Sequence, residues 1–105
     1  SLWPLPPLED YLAAIARAWP EAPQEALAVA ACETSSGRHP ATFSLDAAHG
    51  GVMQLAREVW APYFEARYGW SWERIVRDPE THALASREVY DRGGGWDGPW
   101  RGCRP

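Results

Sequence analysis

Lysine and asparagine are missing altogether from this 105-residue chain, whose ten basic side chains are all arginine. That bias fits GC-rich coding or a warm habitat and excludes no function. Other absences do exclude something. No apolar stretch approaches the ~20 residues that a membrane-spanning helix needs; the longest without a charge runs from Ala26 to Cys32. No basic start followed by an apolar segment marks a secretory signal, so the chain reads as soluble, with no membrane insertion. No basic block relieves the net charge of -4, and without a positive stripe to neutralise phosphates nucleic acid is not an expected partner. HExxH is absent, and His39, His49 and His82 stand 10 and 33 residues apart, spacings that match no compact zinc site; no metal and no cofactor are expected. His39 and His82 read as surface or capping residues. Repeats, low-complexity tracts and linkers are missing too. The expectation is one compact domain over residues 1–105 with its own core.

What the chain does have is tryptophan, seven residues of it. Trp offers flat, amphipathic area on which a sugar can stack, and in a small domain it more often fills the core. In LEDYLAAIARAW the residues Leu8, Tyr11, Leu12, Ile15 and Trp19 recur at helical spacing after a proline-rich lead, predicting a helix from about Pro7 to Trp19. PQEALAVAACE predicts a second, with Pro23 in its first turn and an end at or near Glu33. From Thr34 to Gly51 the helical period is lost; this reads as a long functional loop with a short strand at Thr42 to Leu45. AREVW and PYFEARYG predict two short helical turns, the second opened by Pro62 and closed by Gly69. Ser71 and Asp78 each stand as an N-cap, the latter followed by Pro79 and Glu80, and the later helix carries Ala83, Ser86, Val89 and Tyr90 along one face before Gly93. The tail GGGWDGPWRGCRP is irregular and has to be tied down. The expected fold class is mainly α, with at most a vestigial β-hairpin.

One acid is oddly placed. Glu33 falls in the last turn of the second helix, where the negative end of the helix dipole disfavours its ionised form by roughly 0.3–1 kcal/mol. If apolar neighbours also exclude water, the group stays protonated towards neutral pH, as a general acid must. A solvated glutamate merely tolerated at a helix end is the plain alternative. Cys32 directly precedes this acid and Cys103 lies in the tail. A bond between them would close a loop of about 70 residues, worth roughly 4 kcal/mol in the chain-entropy model; two unrelated thiols are the alternative in a reducing compartment. HGGVMQL, His49 to Leu55, adds two glycines that allow close backbone approach, then Met53 and Gln54. With Glu33 it can form the opposite wall of a cleft.

The order of a helix-borne CE followed by Ser and Gly, then GVMQL, then DPETHALASREVY and GWDGPWRGC resembles the lysozyme-like superfamily, nearest its lytic transglycosylase and resuscitation-promoting-factor branches. The resemblance covers about residues 26 to 103, with 1–22 as an N-terminal helix and lead-in. It implies a lysozyme-like α+β fold and a peptidoglycan-cleaving activity. Residue by residue, it implies Glu33 as the catalytic acid, Gly51, Val52, Met53 and Gln54 as lining of a saccharide cleft, and a Cys32–Cys103 disulfide. His49 and Tyr90 join as substrate-binding candidates, although the family's late-helix Asn and Tyr fall here on His82 and Val89, one step before Tyr90. Thr34 stands where the family usually has Ser.

The same resemblance implies how the acid works. Glu33 protonates the β-1,4 bond between N-acetylmuramic acid and N-acetylglucosamine; capture of the sugar cation by its own C6 hydroxyl makes a lytic transglycosylase, and capture by water a lysozyme. Hydrolysis with two carboxylates needs the second about 5 Å away for retention or about 6.5–9.5 Å away for inversion. Asp46 is the candidate, with a turn cap as its other reading. With one clear acid, the transglycosylase is favoured. A non-catalytic glycan-binding or structural virion module is the reading from another class. Glycan strands of peptidoglycan are thus the expected partner, and the setting secreted, periplasmic or on a phage virion. An acidic domain lacks long-range attraction to an anionic wall, so targeting is expected from a larger cell-wall or phage tail protein.

Overall fold

Proline and apolar spacing set the first two helices. Helix α1 (Leu8–Ala18) buries Tyr11, Ala14 and Ile15 on one stripe and stops at Trp19, ahead of Pro20. Helix α2 (Pro23–Thr34) has Pro23 in its first turn, where a missing N–H costs nothing, and buries only Ala26, Val29 and Ala30. Those small side chains let it lie close along α1. The computed structural model describes residues 3–35 and 42–105. His39, with Ser36 and Gly37 of the expected loop, lies outside them.

The strand expected at Thr42 to Leu45 is not formed. Thr42 and Phe43 are helical or turn-like instead: the Thr42 carbonyl accepts one backbone bond, from the Gly51 N–H at 2.7 Å, the Arg77 guanidinium donates to the Phe43 carbonyl at 3.1 Å, and the Phe43 ring meets Tyr11 at 5.1 Å. The sheet forms just downstream. Strand β1 (His49–Gly50) pairs antiparallel with β2 (Leu55–Ala56), His49 opposite Ala56 and Gly50 opposite Leu55.

Residues 57–68 form one helix, α3 (Arg57–Tyr68), not two turns, and Pro62 lies inside it. Pro62 shares the exposed face with Glu58 and Val59, where the carbonyl it leaves unbonded can be hydrated, while Phe64 is buried in the core. Packing on that inner side carries the helix through. Gly69, with φ 72°, ends it in the left-handed conformation. Ser71 and Asp78 cap as expected: Ser71 accepts from the Arg74 N–H to start α4 (Trp72–Arg77), and Asp78 from the Thr81 N–H to start α5 (Pro79–Arg92).

Helix α5 packs most extensively on α1 and also meets α4. Arg87 donates to the Ala18 carbonyl at 3.0 Å and pairs with Glu21, satisfying the end of α1. The tail takes two short 3-10 turns, Gly95–Asp97 and Arg101–Cys103, and three ties hold it. Trp96 stacks on Trp19 at 5.4 Å, the Trp100 indole N–H donates to the Met53 carbonyl at 2.7 Å, and Cys103 is disulfide-bonded to Cys32. The result is a single mainly helical globule with a two-stranded sheet, its core running from Tyr11 and Trp19 through Val29, Met53 and Phe64 to Val89 and Trp100.

Candidate active site

Glu33 extends the buried stripe of α2. It stands seven, four and three residues after Ala26, Val29 and Ala30, so its side chain leaves the helix on the face that enters the core. It is half-buried there, and desolvation pushes its carboxyl above the ordinary range. Among the described residues the carboxylate has no hydrogen-bond or ion-pair partner. The hydroxyls that follow turn back onto the helix: Thr34 donates to the Ala30 carbonyl at 2.9 Å and Ser35 to the Cys32 carbonyl at 2.8 Å. They cap the C-terminus and leave the acid alone.

The other acids with displaced values go the opposite way. Glu88 accepts hydrogen bonds from the Tyr63 and Tyr68 hydroxyls and pairs with Arg67 and Arg92. Burial works against its ionised form, yet those four partners hold its carboxyl below the ordinary range. Glu21, held by Arg87, is also lowered. Glu33 is thus the one described carboxyl moved towards keeping a proton.

The GGVMQ block is built into the core. Val52 and Met53, expected on a cleft wall, have fully buried side chains, and Gly51 is buried as well. The glycines make room for protein rather than ligand. A Cβ on Gly51 would lie 2.1 Å from the His82 ring, and one on Gly50 would lie 2.7 Å from Val76 and 2.8 Å from Trp72. Gln54 alone in the block keeps surface. Its backbone is left-handed, with φ 52°, and its side-chain amide donates to the Gly51 carbonyl at 2.9 Å. Such a conformation costs a non-glycine residue about 1–2 kcal/mol, so the surroundings must impose it.

His82 is what lies behind the turn. Expected at the surface or in a cap, it is wholly buried, because it shares the inner stripe of α5 with Ser86 and Val89. Its Nδ1–H donates to the Ile75 carbonyl and its Nε2 accepts from the Met53 N–H, both at 3.1 Å, which fixes one neutral tautomer. Desolvation holds its pKa down to about 4. Both ring nitrogens are used.

The remaining candidates fall elsewhere. His49 is exposed and Asp46 is exposed; together with Arg57 and Glu58 they rim a shallow groove outside the hairpin that does not include Glu33. Tyr90 is partly buried in an aromatic cluster, edge-on to Trp19 at 5.6 Å and to Trp96 at 4.5 Å, with Arg87 over its ring. A larger apolar groove between α1 and α2, lined by Leu8, Leu12, Leu27, Ala31, Thr34 and Phe43, also leaves Glu33 out. The tail links the two expected walls: Cys103 is bonded beside Glu33, and Trp100, one turn earlier, is bonded to the hairpin. No group of three or more metal-ligating side chains occurs among the described residues. Compared with protein-family models, curated proteins and solved structures, the chain matches none.

Proposed function

We propose that this chain cleaves the glycan strands of peptidoglycan, as a lytic transglycosylase with Glu33 as its only acid and base. The observation that carries the reading is the state of Glu33: half-buried, without a partner among the described residues, and raised in pKa by desolvation. A carboxyl in that state keeps its proton to higher pH than an ordinary glutamate does and can release it to a leaving group. It gives its proton to the bridging oxygen of the β-1,4 bond between N-acetylmuramic acid and N-acetylglucosamine, and the C1–O bond breaks. The muramic C6 hydroxyl then attacks C1, loses its proton to the Glu33 carboxylate, and leaves a 1,6-anhydro end. Gln54 contributes polar surface to the glycan wall. That Asp46 rims a separate groove favours this one-carboxyl route over two-carboxylate hydrolysis. The disulfide suits a compartment outside the cytoplasm.

The test is release of soluble fragments from purified sacculi. Wild type should release them, and Glu33→Gln should lower the rate by about 10²–10⁴-fold, the usual worth of a general acid. Equal release by both overturns the assignment of Glu33. No release by either favours a non-catalytic glycan-binding or virion module. Mass spectrometry of the ends separates anhydro products from the reducing ends of a lysozyme.

A further inference from the structure

The two peptide planes on either side of the Met53 Cα are each held by a buried ring. The plane between Val52 and Met53 presents its N–H to His82 Nε2 at 3.1 Å, and the plane between Met53 and Gln54 presents its carbonyl to the Trp100 indole N–H at 2.7 Å. Fixing both planes fixes the backbone angles of Met53. The next torsion along the chain is the φ of Gln54, the one non-glycine residue with positive φ among the described residues. An ordinary core residue would fill this space without an acceptor at that atom. Here the chain has instead given up a side chain at Gly51, in left-handed conformation with φ +76°, so that the imidazole edge can come close. The ring is itself braced from behind by the Ile75 carbonyl of α4.

We infer that His82 and Trp100 are positioning residues that clamp Met53 from its two sides and thereby hold Gln54 in its left-handed conformation on the glycan-facing wall. The role given to Gln54 rests on the proposed function; the clamp does not. Trp100 is also the route by which the disulfide reaches the hairpin, since Cys103 follows it by one 3-10 turn. The acid and the wall are therefore set by one tail.

Hydrogen exchange and steady-state kinetics on three variants decide it, read on folded protein matched by circular dichroism. His82→Phe removes the acceptor, Trp100→Phe removes the donor, and His82→Gln places an amide oxygen near the Nε2 position. In His82→Phe and Trp100→Phe the Met53 and Gln54 amides should exchange about tenfold faster than in wild type, while those of α1 and α2 stay unchanged. KM for sacculi should rise about tenfold with kcat within about threefold, and His82→Gln should restore both. Unchanged exchange at Met53 and Gln54 overturns the clamp. So does a uniform rise across the core with kcat and KM following the folded fraction, which is what mere space-filling predicts. If His82→Phe does not fold, nitrogen chemical shifts of the wild-type imidazole decide: a neutral ring protonated at Nδ1 supports the clamp, and one protonated at Nε2 overturns it. A wild type inactive on sacculi overturns the cleavage reading and with it the part given to Gln54 in cleavage, and exchange in the same variants then judges the clamp separately.

Discussion

The C-terminal end of α2 and the hairpin turn at Met53 each bury an ionisable side chain, and burial pushes both towards the neutral form. Glu33 moves up and His82 down, to about 4. They part company in their hydrogen bonds. His82 spends both ring nitrogens on backbone groups, whereas Glu33 spends neither oxygen on any described residue. A neutral group with its bonding capacity filled can only hold structure. A neutral acid with its capacity unspent is free to exchange a proton with something else. Desolvation therefore does not mark chemistry by itself, and the tally of partners separates the two sites.

The sharpest break in this comparison is catalytic, and it is the loss of about 10²–10⁴-fold in sacculus cleavage expected for Glu33→Gln. His82→Gln should leave the rate almost intact. Next in size is the link that joins the sites. Replacing Cys32 and Cys103 by serine, or reducing the disulfide, should cost about 4 kcal/mol by the chain-entropy estimate for a loop of this size. Chemical denaturation with and without reductant measures it. A loss below about 1 kcal/mol would mean that Trp96 and Trp100 hold the tail without the bond.

How much of this the sequence discloses follows the range of the interaction. Ser71, Asp78, Pro23 and Gly69 act on their own helix ends, and each stands where its local chemistry puts it. Pro62 misleads for the same reason: local rules open a helix at proline, and the packing of Phe64 that overrides them is long-range. The paired glycines announce close approach without saying of what, and the answer, His82, lies 31 residues beyond Gly51. His82 did have a signal, since it stands four and seven residues before Ser86 and Val89 on one stripe. Glu33 and the two cysteines could be singled out from their positions. The Trp100 to Met53 bond has no signature in either segment.

Acid titration sharpens the comparison, because the two groups bend stability in opposite directions. The unfolded chain takes a proton at His82 near pH 6.5, while the native chain refuses it until about pH 4. Stability should therefore fall as pH drops across that window, by roughly 3 kcal/mol when complete. The titratable side chain in ring contact with His82 is Tyr11, from α1, which stays uncharged throughout because burial raises its pKa; Asp78, the cap of α5, has its carboxylate bonded by Thr81. His82→Gln should flatten this slope. A slope of equal steepness in that variant would assign the proton to another group.

Glu33 gives the smallest effect and the opposite sign. Its folded pKa is raised above 4.5, so in the window above that value the native chain holds the proton longer than the unfolded one, and stability falls as pH rises. Above the window an ionised carboxylate sits half-buried at the negative end of α2, a placement that costs about 0.3–1 kcal/mol from the helix dipole alone. Glu33→Gln removes that cost, so the variant that loses activity should gain stability at pH 7, and the gain should fade as pH falls below 4.5. Denaturant midpoints at pH 7 and at low pH, compared at equal m, measure it. A variant less stable than wild type at pH 7 would show that the carboxylate is spent on a bond within the protein. Glu33 would then belong with Glu88 among the acids that hold structure, and the contrast with His82 would collapse.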